Sequence, residues 1–268
     1  MYAGFNLIMS KEDEIYLKQY AQPGEKLFLN RKRVIRDTLD KYINVDGSLN
    51  VAMIEEEWFK NINSHVFISH SHTDENLVKA FAGYLYESFG IESFIDSCVW
   101  GYANELLKMI DDRFCKTIKN EDGSCSYDYD KRNQSTSHVH MILNGALAKM
   151  INSTECLIFM NTPNSIKARD TEDKDKTASP WIYSELLMAT EFPHQELMFY
   201  RPLTHYDEVT FELSEVQFEY KVKVDELKEL KLSDLKELNG NRYQKNPLAC
   251  LDELYCKKGM ITYKQVRR

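Results

Sequence analysis

Short apolar runs alternate with amphipathic stretches along this chain, and that alternation limits its possible folds more than any other feature. His65-Val66-Phe67-Ile68-Ser69 is an apolar run ended by a polar cluster, the pattern of a strand buried on both faces. The helix expected next has Thr73 as its cap, with Asp74 and Glu75 complementing the dipole in its first turn. It carries Leu77, Phe81, Leu85 and Phe89 on one side and stops at Gly90. Glu92 to Asp96 reads as a second strand, and Leu106, Met109, Ile110 and Phe114 mark the inner face of a helix beyond a loop. His138 to Ile151 is amphipathic, and Cys156 to Met160 is the most apolar strand. Ser179 caps a helix that starts at Pro180 and runs to about Glu191. Leu197 to Tyr200 reads as a fourth strand, and Val216 to Val224 alternates like an edge strand with one wet face. Leu227 to Leu238 and Pro247 to Lys257 close the chain as helices. Such alternation means an α/β fold around a mainly parallel sheet.

Residues 1–63 read as helix and turn, with Ile35, Leu39, Tyr42 and Ile43 at helical spacing and a turn at Asp46-Gly47. They are expected to form a helical N-terminal extension ahead of a main domain at 64–268. Two polar stretches, 116–137 and 162–178, read as surface insertions, the second holding a solvated charge run from Arg169 to Lys176. A net charge of -8 speaks against sequence-blind binding to nucleic acid or anionic membranes, which needs a positive field. The six cysteines include no Cys-x-x-Cys pair, so free thiols are expected. No apolar run approaches the ~20 residues of a membrane helix. The N-terminus also lacks the basic-then-apolar layout of a signal peptide. A cytoplasmic protein with no membrane partner is expected.

Ligands of parallel α/β sheets bind beyond the carboxyl ends of the strands. That rule selects Ser69-His70-Ser71-His72, Asp96 to Tyr102, Asn161-Thr162 and the helix start at Pro180. His70 and His72 stand two apart, but no carboxylate or cysteine lies at a familiar ligand spacing, and His138-x-His140 is no stronger, so no metal is expected. Small polar side chains at a strand end more often cap the next helix or bind phosphate. A phosphoacceptor receiver is excluded because Ser69-His70-Ser71 stands where its acidic pair belongs and Asn161 ends the third strand. The glycine turn of a dinucleotide fold and the Gly-x-Ser-x-Gly elbow are both missing. Trp181 and Glu185, four apart on a helix, can border one pocket. On spacing alone a core Trp181 and a solvated Glu185 are the commoner case.

The segment from Val66 to Glu75 resembles the first box of Toll/interleukin-1 receptor (TIR) domains, a strand ending in a Ser-rich turn followed by Asp. Ser93-Phe94-Ile95-Asp96 is similar to that family's second strand, and Ser97 to Asn104 to its BB loop. Ser179-Pro180-Trp181-Ile182-Tyr183-Ser184-Glu185-Leu186 matches its Ser-x-Trp-x-x-x-Glu-Leu box. The resemblance covers 65–200. The Arg-Asp and Pro-Gly features of animal receptor BB loops are absent, and the chain looks bacterial, similar to TIR proteins of anti-phage systems such as Thoeris.

This resemblance implies a flavodoxin-like, five-stranded sheet in order 2-1-3-4-5, with strands starting near His65, Glu92, Glu155, Glu196 and Val216. It also implies cleavage of the nicotinamide–ribose bond of NAD+, a substrate rather than a cofactor, with Glu185 catalytic. Ser69, His70, Ser71, Trp100, Tyr102, Trp181 and Ser184 are the substrate-binding residues it implies. The product is ADP-ribose if water captures the ribosyl cation, or a cyclic isomer if the adenine does. Self-association through TIR–TIR contacts and a separate effector that senses the product are the partners implied, in a setting of antiviral defence. The alternative is a non-catalytic TIR interaction module, an adaptor or decoy, and the glutamate is the feature that separates the two.

Overall fold

The computed structural model describes residues 1–31, 39–59, 63–119, 125–166, 176–200, 220–221, 226–238 and 246–261. In chain order the strands are β1 (Ala3–Ile8), β2 (Val66–Ser69), β3 (Ser93–Ile95), β4 (Lys116–Lys119), β5 (Cys125–Tyr127), β6 (Cys156–Asn161), β7 (Lys176–Thr177), β8 (Tyr220–Lys221) and β9 (Lys228–Lys231). The helices are α1 (Lys11–Leu17), α2 (Ala21–Arg31), α3 (Val51–Trp58), α4 (Glu75–Phe89), α5 (Ser97–Ile110), α6 (Tyr129–Ser153), α7 (Pro180–Glu191), α8 (Leu232–Lys236) and α9 (Pro247–Lys257). The chain divides into two compact units, one of Met1–Arg31, Ile62–Asp96 and Met150–Arg268, the other of Lys32–Asn61 and Ser97–Lys149.

The first unit is an α/β structure with a five-stranded sheet in the order β3-β2-β6-β1-β9, and every pairing is parallel. The α/β, flavodoxin-like class expected from the sequence is what the chain adopts. The register is even: Val66 lies opposite Ser93 on one side and Cys156 on the other, and Ala3 lies opposite Cys156. The carboxyl ends of β2, β3 and β6 therefore open onto one edge. Leu157, Phe159 and Met160 of β6 and Val66, Phe67 and Ile68 of β2 are fully enclosed, as an all-parallel sheet with both faces covered requires.

Strand order departs from 2-1-3-4-5. The first three places are as expected, but the place beside β6 belongs to β1. Residues 1–63 are thus not a purely helical extension, because their first residues form an interior strand. The run Ala3-Gly4-Phe5-Asn6-Leu7-Ile8 buries Ala3, Phe5 and Leu7 completely. With that place filled, Leu197–Phe199 forms a 3-10 turn instead of a fourth strand. The outer place goes to β9, where only Leu230 is buried, within the stretch expected as a helix from Leu227. Of the expected strand at 216–224, Tyr220 and Lys221 pair antiparallel with Thr177 and Lys176, and the other positions lie outside the described residues.

Helices α2 and α4 cross with their backbones touching. A Cβ at Gly24 would lie 1.8 Å from the Lys79 carbonyl oxygen, and one at Gly83 would lie 2.5 Å from the Tyr20 carbonyl oxygen. Only glycine permits that approach. Lys79 fastens the crossing: its Nζ sits 3.0 Å from Glu25 and 2.8 Å from Glu75, and 3.9 Å from the centre of the Phe28 ring. Gly90 ends α4 in the left-handed conformation, φ 70°, with its N–H donating to Leu85 and Tyr86.

The second unit is mainly helical. Asn50 caps α3 by accepting from the Met53 N–H at 3.1 Å. Helix α5 runs into a π-turn, Asp111–Cys115, whose buried Asp111 accepts from Ser135 Oγ at 2.5 Å and Arg132 Nε at 3.0 Å. Of the polar stretch 116–137, Lys116–Lys119 and Cys125–Tyr127 pair antiparallel as β4 and β5, and α6 begins at Tyr129. Phe114, expected inward, is 38% exposed. Among the described residues Cys115, Cys156, Cys250 and Cys256 are free thiols.

Candidate functional site

The site is assembled at the carboxyl edge of the sheet. Strand β2 ends at Ser69 and His70 follows it; Asp96 follows β3, whose Ile95 lies opposite Ile68. Helix α7 starts with Pro180 in its first turn and Ser179 Oγ accepting from the Ile182 N–H at 3.3 Å. Its inward stripe is Ile182, Glu185, Leu186 and Ala189, so helical spacing points Glu185 at the strand ends.

Glu185 is 0% exposed, and its Oε2 accepts from Ser69 Oγ at 2.6 Å. Its other oxygen has no hydrogen-bond partner among the described residues. On the far side, His70 Nδ1 lies 2.6 Å from Asp96 Oδ1, an ion-pair contact. His70 Nε2 is buried without a partner among the described residues. Asp96 lies near enough to Glu185 for its charge to act on that carboxyl. Four polar side chains from two strand ends and one helix thus meet in a place closed to water.

Burial and then the negative charge of Asp96 push the Glu185 carboxyl well above the usual carboxylate range, against the opposing bond from Ser69. His70 moves up as well. Burial alone would lower it, but the charge of Asp96 and its contact outweigh that, helped by the Ile68 backbone and the charge of Asp74. Burial and a neighbouring charge thus disfavour the ionised form of Glu185, while the contacts of His70 favour its protonated form.

A second polar group adjoins it. Asp74 Oδ2 accepts from Thr162 Oγ1 at 2.5 Å and Oδ1 from Asn164 Nδ2 at 2.7 Å, and Ser165 Oγ accepts from the Thr162 N–H at 2.8 Å. These bonds tie the start of α4 to the loop after β6 and leave neither carboxylate oxygen of Asp74 unsatisfied. Thr162→Val keeps the shape and removes the hydroxyl donor, with an expected loss of ~1.5–3 kcal/mol, as for bonds to charged groups. Urea unfolding reads it, and an unchanged midpoint would mean that the contact adds no stability.

Of the residues expected from the sequence, Ser69, His70 and Glu185 come together. The view of Glu185 as a solvated helix residue is excluded by its burial. Ser71 stands just outside, at the N-cap position of the 3-10 turn His72–Asp74 without a side-chain capping bond, its hydroxyl 3.0 Å from that of Thr73. Trp181 and Ser184 are half-buried on α7, Trp181 one turn before Glu185. The expected loop Ser97 to Asn104 is instead the first half of α5. No proline interrupts it, and Ala103, Leu106 and Ile110 are buried at helical spacing. Trp100 and Tyr102 are on this helix, and their side chains lie outside the described residues. Sequence reasoning missed Asp96 as a partner of His70, and the Asp74 group. The only available signal for Asp96 was its place directly after a buried strand.

Among the described residues no group of three or more His, Cys, Asp or Glu side chains is placed to hold a metal ion. No described helix is long and apolar enough to cross a membrane. Comparisons of the chain with protein-family models, with curated proteins and with solved structures return no match.

Proposed function

We propose that the chain is an NAD-cleaving enzyme of TIR type, breaking the nicotinamide–ribose bond to give ADP-ribose or a cyclic isomer as a signal in bacterial anti-phage defence. The observation that carries this reading is the buried Glu185, hydrogen-bonded to Ser69 at the end of β2 and facing Asp96. Departure of nicotinamide, a neutral leaving group, builds positive charge on the ribose. A carboxylate in a water-poor site stabilises that charge far more than one in solvent. Ser69 orients the carboxyl, and His70, buried beside Asp96, and Ser71, just outside the cluster, would meet ribose or phosphate once the site opens. Trp181 and Ser184, one turn and one residue before Glu185, would flank the entering substrate. Since Glu185 is enclosed, turnover requires the side chains around it to part.

That same enclosure favours a second reading, a non-catalytic TIR interaction module in which the cluster only joins strand ends to α7. Incubating concentrated protein with NAD+, alone and with lysate of phage-infected bacteria, and resolving the products by mass spectrometry separates the two. Nicotinamide with ADP-ribose or its cyclic isomer supports the enzyme. NAD+ left intact in both conditions supports the module.

Self-association belongs to this proposal, through the α5 segment that carries Trp100 and Tyr102. Trp100→Ala with Tyr102→Ala should lower NAD+ cleavage and leave thermal unfolding nearly unchanged. A fully active monomer at high dilution would contradict it.

A further inference from the structure

Two carboxyl groups and one imidazole share the enclosed cluster at the sheet edge, and burial limits the charge they can carry. His70, Asp96 and Glu185 are 3%, 3% and 0% exposed. Two adjacent buried carboxylates against one imidazolium would leave a net negative charge away from water, which is far costlier than keeping one proton. A single negative charge shared by the pair avoids that cost. Its better place is Asp96, which has the His70 ring at 2.6 Å, while Glu185 has the neutral Ser69 hydroxyl. The Glu185 oxygen with no partner as a carboxylate becomes, in the acid form, a donor or a simple carbonyl, and either removes the burden of an unpaired charge.

We propose that Asp96 is a positioning residue for Glu185: clamped by His70 in the same enclosed cluster, it keeps the glutamate as a neutral acid in the resting site. The proposal rests on the NAD-cleaving reading for its meaning in catalysis, since Glu185 must ionise to stabilise a ribosyl cation. The proton given up leaves to solvent, and cleavage rises with pH as Glu185 ionises. The titratable groups facing this pair are His70, directly after β2, and Asp74, before α4, which acts on His70. The direction is consistent with the upward displacement of Glu185 by burial and by Asp96. Nothing in the spacing Trp-x-x-x-Glu foretells this role.

Protein carrying ¹³C-labelled Glu and Asp carboxyl groups tests it by NMR titration, with the Glu185 signal identified as the one absent from Glu185→Gln. In Asp96→Asn the like charge is gone and the Glu185 signal should titrate at lower pH than in the wild type. In His70→Gln the cation is gone and the Glu185 signal should titrate at higher pH than in the wild type. Opposite movements separate charge coupling from simple damage to the fold, and His70→Gln decides the matter if Asp96→Asn does not fold. At pH 6, kcat/KM relative to its own high-pH plateau should be ~tenfold greater in Asp96→Asn than in the wild type. A Glu185 signal titrating at the same pH in the wild type and Asp96→Asn, or in the wild type and His70→Gln where Asp96→Asn does not fold, overturns the proposal. If no variant or wild type releases nicotinamide, the NAD-cleaving reading fails while the NMR titration still decides the coupling.

Discussion

Glu185→Gln is expected to yield a folded protein, at least as stable as the wild type at neutral pH, that no longer cleaves NAD+. Gln fills the same space within α7 and still accepts from Ser69 through its carbonyl, so packing against Ile182, Leu186 and Ala189 is kept. What it cannot do is ionise. Loss of a preorganised charge worth ~3–4 kcal/mol in the transition state slows the reaction ~10²–10³-fold. Stability moves the opposite way, for a reason that can be checked. Burial and Asp96 raise the folded-state ionisation of Glu185 above its ordinary value of 4.5. Below that value the residue is protonated folded and unfolded, and wild type and variant should match. As pH rises above it the unfolded chain gains by ionising, and the wild type loses stability until Glu185 ionises in the folded state too; Gln escapes that loss. The variant's advantage in melting temperature should therefore grow with pH, at ~2–4 °C per kcal/mol for a chain of this size. A melting temperature lowered by the substitution at pH 7 would show that Glu185 is held as a carboxylate instead.

Gly24→Ala should produce the largest loss of stability. The added Cβ would sit 1.8 Å from the Lys79 carbonyl oxygen and 2.5 Å from its carbon, both backbone atoms within α4. Neither can rotate away as a side-chain tip would, so α2 must shift off α4. That shift also strains the contacts of Lys79 with Glu25 and Phe28. Overpacking of well-fitted cores costs ~1–3 kcal/mol, and a clash between backbones belongs at or above the top of that range. Alanine's better helix propensity, worth ~1 kcal/mol, offsets only part. Gly83→Ala meets Tyr20 and Gly24 backbone at 2.5 and 2.7 Å and should behave alike. A thermal midpoint within a degree of the wild type for both variants would mean that the helices do not touch as described.

Local patterns carried much of this fold. The apolar runs at β2, β3 and β6 were legible because each buried strand is bounded by polar residues, and Ser179-Pro180 announced α7. Which strand neighbours which was not legible past β6. Pairing of β1 with β6 joins residues more than 150 positions apart, and no local signal records it. The alternation at 216–224 and the stretch at Leu197 were each compatible with a strand, but β1 had filled the place beside β6. At the site, Glu185 could have been read as inward from the stripe Ile182, Leu186 and Ala189 alone. That His70 and Asp96 meet depends on β2 and β3 lying side by side in register, which is a tertiary fact.

The most direct test of the central claim is the amount of nicotinamide set free from NAD+ by wild-type protein and by Glu185→Gln, side by side, concentrated and supplied with lysate of phage-infected bacteria. The account predicts release by the wild type and at least ~10²-fold less by the variant at equal folded concentration. Equal release from both would contradict it.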